Sequence, residues 1–352
     1  MKARLAIVNY PYLKGYRHIE DILEKLQRYY DVEFIDVGGA GEEELAGSLR
    51  GFHVLIVSHT PFYGRKFFSL NRDVRLLMRF GIGYDNVDVG AAEDEGVLVA
   101  RIPNEVEREA VAEHTIALML AALRRVTVSD YDMRRGKVSP GVYNEYVLEE
   151  LTAPANLSEM VVGIVGLGHI GSRVAEILVR GFGARVIAYD PYIDPSRAGQ
   201  LGVELVGSLE ELVRQSDIVS IHAPLTSETR HMISRDVLKK AKRGLILVNT
   251  ARGAIVDMDA LLWALDKGVV SFAALDVFDP EPLPPNHPIL ARRNVVLSPH
   301  IAVFTHTTLR RMFESVALAA IAYARGEPLE QHVVVVVKPP KPRPRPFTGG
   351  AG

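Results

Sequence analysis

The chain has 352 residues, enough for two or three domains with a sizeable core each, which excludes a small disulfide scaffold. Hydrophobic residues make up 48% and charged residues 24%, so the chain is not disordered throughout. Forty-one Lys+Arg against 43 Asp+Glu leave a formal charge of -2, too balanced for a dedicated binder of nucleic acid or anionic lipid, and with no cysteine there is no disulfide, thiolate metal cluster or Cys nucleophile.

At the N-terminus, Leu5-Ala6-Ile7-Val8 reads as a first strand rather than a signal peptide, because no small-residue cleavage site follows. Together with the missing cysteines this points to a cytoplasmic protein. Arg-rich, Gln-poor usage without Cys is a bias seen in some thermophile proteins. Strands over 5–8, 32–35, 54–57, 76–80 and 97–100 alternate with helices over 17–29 and 89–95, the pattern of a parallel sheet covered on both faces.

Residues 106–125 are apolar almost all round, which predicts a long buried helix bridging two domains, with a boundary near Asn104. No apolar run reaches the roughly 18 residues of a membrane span. His114 on that helix reads as a satisfied core histidine. The stretch 126–160 has weak periodicity and exceeds ordinary loops, so it should be functional or pack on a neighbouring subunit. A second alternation follows: strands over 161–165, 185–189, 218–221, 245–248 and 271–275, helices over 170–180 and 259–266, then a last strand at 295–297 and a helix over 307–324. The fold class is therefore α/β, with two doubly wound parallel sheets. The Pro-rich tail 338–352 can form neither helix nor central strand and should be extended or disordered.

Three glycines, Gly166, Gly168 and Gly171, follow an apolar strand and open a helix. They allow a tight turn, close approach of a pyrophosphate and tight helix–strand packing, and the helix N-terminus, including His169 and Ile170, faces the phosphates. The next strand ends at Asp190, about 20 residues on, where a carboxylate accepts from a ribose 2′-hydroxyl and repels a 2′-phosphate. The cofactor is therefore NAD, with NADH preferred over NADPH. No His/acid spacing suits a metal, and none is expected. Further on, Arg252, Glu281 and His300 sit where strands of this sheet should end. A cation for a carboxylate, a proton donor paired with an acid, and a hydride source together describe reduction of a 2-keto acid.

The sequence resembles the D-isomer-specific 2-hydroxyacid dehydrogenases over roughly 5–325. Besides the glycine motif, the resemblance rests on Gly81-Ile82-Gly83-Tyr84-Asp85-Asn86-Val87-Asp88, on Ala112-Glu113-His114-Thr115, and on the segments around His222, Arg252, Glu281 and His300. It implies that Arg252 binds the substrate carboxylate, that His300 is the acid/base oriented by Glu281, and that the amides of Ile82 and Gly83 hold the other carboxylate oxygen. Asp276 would contact the nicotinamide carboxamide, while His222, Ala223, Pro224, Thr250 and Ala251 would line the cofactor cleft.

The resemblance also implies two Rossmann-like domains, with an NAD-binding domain (105–301) inserted in a discontinuous substrate domain (1–104 and 302–330). It implies a homodimer built on the long helix and the 126–160 arm. A small 2-keto or 2-hydroxy acid is the substrate class, and the sequence does not name the acid. A second reading is an NAD(H)-sensing corepressor of the same fold without turnover; a cofactor held tightly without keto-acid reduction would favour it.

Overall fold

A computed structural model describes residues 2–346. The chain divides into two compact units: unit one comprises Met1–Glu107 and Phe304–Gly352, and unit two comprises Arg108–Val303. The division falls inside the helix Asn104–Leu123 rather than at its first residue.

Unit one begins with β1 (Ala3–Val8), β2 (Tyr30–Ile35), β3 (Val54–Val57), β4 (Leu76–Arg79) and β5 (Leu98–Arg101). Unit two contributes β6 (Val161–Val165), β7 (Arg185–Tyr189), β8 (Glu204–Leu205), β9 (Ile218–Ile221), β10 (Leu245–Asn249), β11 (Val270–Leu275) and β12 (Val295–Leu297). The chain then returns to unit one through the helix His306–Arg325 and β13 (Val334–Val337).

The sheet of unit one runs β13-β5-β4-β3-β1-β2, all parallel except β13, which pairs antiparallel with β5. The sheet of unit two runs β12-β11-β10-β9-β6-β7-β8 and is parallel throughout. Strands such as β3, β9 and β10 are buried along their whole length, so they read as continuous apolar runs rather than as alternations. In unit two, Ala112, Ile116, Met119 and Leu123 of the long helix join Ile164, Val248 and Ala274 in the core on one face of the sheet, while Leu212, Leu247 and Leu261 lie in the core on the other.

The strand β8 and the helices Glu42–Ser48, Arg65–Leu70, Pro195–Leu201 and Leu209–Gln215 are not among the expected elements, and three further segments depart from the sequence expectation. The stretch 17–29 opens with a 3-10 turn, Arg17–Ile19, before its α-helix, Glu20–Gln27. The stretch 126–160 holds the helix Val126–Arg134 and short helical turns at Val147–Leu151 and Leu157–Glu159.

The third departure is the C-terminal end. The valine run supplies β13, beyond the last strand expected at 295–297, and of the two states expected for the tail, extended or disordered, residues 338–346 take the extended one and are anchored. The Arg343 amide donates to Gly96 O at 2.9 Å. Its guanidinium donates to the carbonyls of Phe68 (3.0 Å), Asn71 (2.8 Å), Val74 (3.0 Å) and Glu95 (2.6 Å). Proline excludes regular structure here, but a planar cation with five donors can still pin an extended segment to main-chain oxygens. Residues 347–352 lie outside the described residues.

Among the described residues, no helix is long and apolar enough to cross a membrane.

Candidate active site

In unit two the strand order reverses between β6 and β9, and a switch point of this kind is where open α/β sheets bind ligands. The turn after β6 holds Gly166, Gly168 and Gly171, and His222-Ala223-Pro224 follows β9 beside it. Gly166 has φ +88°, and a Cβ there would lie 2.8 Å from Ala223 N; at Gly171 it would lie 2.1 Å from Gly166 O. A Cβ on Gly168, in contrast, would meet no protein atom within 4 Å. The turn is thus closed against protein and open on the side where the helix His169–Phe182 begins, whose first-turn amides have no acceptor within the helix. This cradle fits a pyrophosphate.

Asp190 follows β7, and its carboxylate accepts from Leu167 N (2.8 Å) and Tyr192 N (2.9 Å), which holds it against the glycine turn. His222 Nε2 lies 2.9 Å from Ser220 Oγ, and burial of the ring pushes its pKa down to about 3, so the imidazole is neutral near pH 7. Thr250 is buried, with its hydroxyl 2.8 Å from that of Thr115 on the long helix, and the Ala251 amide donates to Asn249 Oδ1 at 3.0 Å.

Residues Asn249, Leu275 and Leu297 stand in register at the ends of β10, β11 and β12, so the segments carrying Arg252, Asp276 and His300 leave the sheet along one edge. The Arg252 main chain is tied down by Asn249 Nδ2, which donates to Arg252 O at 2.9 Å, and its guanidinium donates to Ala251 O at 2.8 Å. His300 Nδ1 lies 2.6 Å from Glu281 Oε1. A carboxylate at that distance keeps a proton on Nδ1, which leaves Nε2 as the nitrogen that can exchange a proton with a ligand.

His300 has φ +55°, the left-handed region that a side chain with a Cβ rarely adopts. Asp276 holds it there. The His300 amide donates to Asp276 O at 2.8 Å, and the next two amides, Ile301 and Ala302, donate to the Asp276 carboxylate at 3.0 Å each. Ser298 Oγ donates to the same carboxylate at 2.6 Å. That hydroxyl has one hydrogen, so His114 Nε2, 2.9 Å from Ser298 Oγ, must be the donor in their contact.

Burial alone would raise the Asp276 pKa, but the bonds from His114, Ser298 and the two amides outweigh it and hold the carboxyl ionised, below its usual range. Asp276, which the resemblance sets against the nicotinamide, is 0% exposed with its carboxylate turned to the His300 loop. His114 is satisfied, as expected, but by this polar relay rather than by the apolar core. No sequence spacing links residues 114, 276 and 298, which only the folded sheet edge brings together.

In unit one, the loop after β4 carries Ile82 and Gly83. Asn86 ties the loop down by donating to Ser58 O and Pro61 O at 3.0 Å each, and Asp88 caps the next helix by accepting from Ala91 N at 2.9 Å. Among the described residues, the amides of Ile82 and Gly83 donate to no protein acceptor.

Residues 116–302, more than half of the chain, match the family model described as D-isomer specific 2-hydroxyacid dehydrogenase, NAD binding domain. The chain is 42% identical over 311 residues to a glyoxylate reductase of Aeropyrum pernix, covering 87% of this chain and 90% of that protein. It is 35% identical over 315 residues to a D-3-phosphoglycerate dehydrogenase of Methanocaldococcus jannaschii, covering 90% of this chain but 57% of that longer protein. The solved D-lactate dehydrogenase of Aquifex aeolicus, complexed with NAD and lactic acid, is similar with a TM-score of 0.79 and 27% identity, covering 96% of this chain and 100% of that one. With its glycine cradle, its His300–Glu281 pair and these relatives, the chain belongs to the D-isomer specific 2-hydroxyacid dehydrogenase family, oxidoreductases that act on 2-hydroxy acids with NAD.

Proposed function

We propose that the protein reduces a small 2-keto acid to its D-2-hydroxy acid, with NADH preferred over NADPH. The observation that carries the reading is the shared sheet edge of unit two, where Arg252 and the His300–Glu281 pair follow strands in register. The bound cofactor supplies the hydride that adds to C2. Arg252 pairs with the substrate carboxylate and draws electron density from the carbonyl, and the amides of Ile82 and Gly83 take the other carboxylate oxygen. His300 gives the proton on Nε2 to the carbonyl oxygen while Glu281 keeps Nδ1 protonated, and in the reverse direction neutral Nε2 is the base. Asp276 and His114 position the loop that carries His300.

Cofactor choice follows from Asp190, whose carboxylate would repel a 2′-phosphate. Gly166, Gly168, His169, Ile170 and Gly171 cradle the pyrophosphate, and His222, Ala223, Pro224, Thr250 and Ala251 line the remainder of the cofactor site. The chain acts as a cytoplasmic homodimer in this reading; the arm supports the dimer by exposing Tyr131, Met133, Val142, Tyr143 and Leu148, with Tyr143 84% exposed.

The test is NADH oxidation with glyoxylate, hydroxypyruvate, pyruvate and phenylpyruvate. Turnover with at least one, and weaker turnover with NADPH, is the expected result; cofactor binding without turnover of any of the four would overturn the reading.

A further inference from the structure

Gly253 follows Arg252 directly and is buried, and the main chain of Phe278, three residues before Glu281, packs against it. A Cβ on Gly253 would lie 1.9 Å from Phe278 C, 1.9 Å from Phe278 O and 2.5 Å from Phe278 Cα, all of them main-chain atoms. Gly253 is not among the glycines with positive φ, so alanine there meets no backbone strain and the contact alone demands glycine. The segments that leave β10 with Arg252 and β11 with Glu281 thus touch main chain to main chain, and both belong to unit two.

What holds each segment decides which would yield to an added methyl group. On the Gly253 side, Asn249 Nδ2 donates to Arg252 O at 2.9 Å, His231 N to Ala254 O at 2.8 Å and Ile233 N to Ile255 O at 3.1 Å, and Ala254, Ile255 and Val256 are buried. On the Phe278 side, Asp276 N donates to Asn249 O at 3.0 Å. Beyond Phe278 the chain turns outward: the Asp279 carboxylate lies 3.6 Å from Arg230 Nη1 and 3.7 Å from His231 Nε2, all three side chains partly exposed, and Glu281 Oε1 then meets His300 Nδ1 at 2.6 Å. A buried, repeatedly hydrogen-bonded segment gives way less than a partly exposed one held by surface charges, so the methyl group would displace the stretch from Phe278 to Glu281 and leave Arg252 in place.

We propose that Gly253 is a positioning residue for proton transfer: its missing Cβ lets the Phe278 main chain seat against it, and that seat sets the Glu281 carboxylate against His300. This inference rests on the keto-acid reading, in which Glu281 keeps His300 Nδ1 protonated. Gly253 acts through Glu281 rather than by touching the substrate.

The test compares wild type, Gly253→Ala, Glu281→Ala and the double variant, with keto-acid turnover of the wild type measured first. A wild type without turnover, or a Glu281→Ala variant with wild-type kcat, overturns the underlying reading and this assignment with it, whereas the outcomes that follow strike the assignment alone. Gly253→Ala should lower kcat for keto-acid reduction on the order of 100-fold, because a shift of about 1 Å in a proton-transfer group costs that much. KM for the keto acid and the Kd of NADH should stay within about threefold of wild type. With Glu281→Ala already present there is no carboxylate left to misplace, so adding Gly253→Ala should cost less than about threefold more, whereas independent sites would multiply their losses.

Wild-type kcat in folded Gly253→Ala, losses of kcat and NADH affinity in equal measure, or full multiplication of the two losses in the double variant would overturn the assignment. Where Gly253→Ala does not fold, Asp279→Asn takes its place, since it slackens the same stretch without crowding it. Its kcat should fall about threefold alone and not at all beside Glu281→Ala, and an unchanged kcat in Asp279→Asn alone overturns the assignment.

Discussion

Arg252 is expected to act through shape as much as charge. Its main chain is fixed by Asn249, so the guanidinium starts from a set position, and a planar fork can take a carboxylate with two parallel bonds. Arg252→Lys keeps the charge and loses the fork, so kcat/KM for keto-acid reduction should fall on the order of 100-fold while NADH affinity is kept. Steady-state kinetics with a separate NADH titration checks this, and near-normal efficiency would remove Arg252 from the substrate. His222 makes a different kind of prediction. Its folded pKa is about 3 against an ordinary 6.5, because burial disfavours the charged ring. As pH falls through 6.5 the unfolded chain takes up a proton that the folded protein refuses, so stability is lost from 6.5 down towards 3, at up to about 1.4 kcal/mol per pH unit. His222→Gln removes that group. Between pH 7 and pH 5 the wild type should lose up to about 2 kcal/mol more than the variant in urea titrations; equal losses would mean that the ring is hydrated in solution.

Among the elements, β13 and the segment after it change how unit one is understood. The edge of a sheet left at β5 would expose main-chain groups, and β13 covers them by antiparallel pairing through Val334–Val337. Arg343 then fastens the chain with bonds to four carbonyls and the Glu95 carboxylate, and its side chain is only 11% exposed. Removing a charged donor from several buried acceptors leaves those acceptors without partners. Arg343→Ala should therefore destabilise unit one by about 2 to 4 kcal/mol, while the NADH affinity set by residues of unit two is unaffected. Chemical denaturation followed beside an NADH titration separates the two effects, and an unchanged midpoint would show that the tail contributes nothing to stability.

For the whole molecule, cofactor and fold are linked through unit two, since the glycine cradle, Asp190 and the strand-end residues all belong to it. A ligand that binds only the folded state stabilises it by mass action, by about 2.7 kcal/mol at a hundred times its Kd. NADH at that excess should raise the melting temperature clearly, NADPH at the same concentration should raise it less, and Asp190→Ala should narrow the gap. Equal shifts from the two cofactors in the wild type would show that Asp190 does not select between them.

Legible in the chain alone were the α/β class, the glycine turn with its strand and helix, and the places of Arg252, Glu281 and His300 beyond strand ends, because those signals are local: apolar runs of strand length, glycines at fixed offsets, and polar residues just beyond such runs. What depends on residues far apart in the chain emerges only on folding. Folding brought His114, Asp276 and Ser298 into one relay and paired the strand Val334–Val337 with β5. It also anchored residues 338–346 of a proline-rich tail whose composition is equally compatible with an extended or a disordered state. A charge or hydroxyl looks the same in sequence whether water or a buried partner satisfies it, and only the packing of distant segments distinguishes the two.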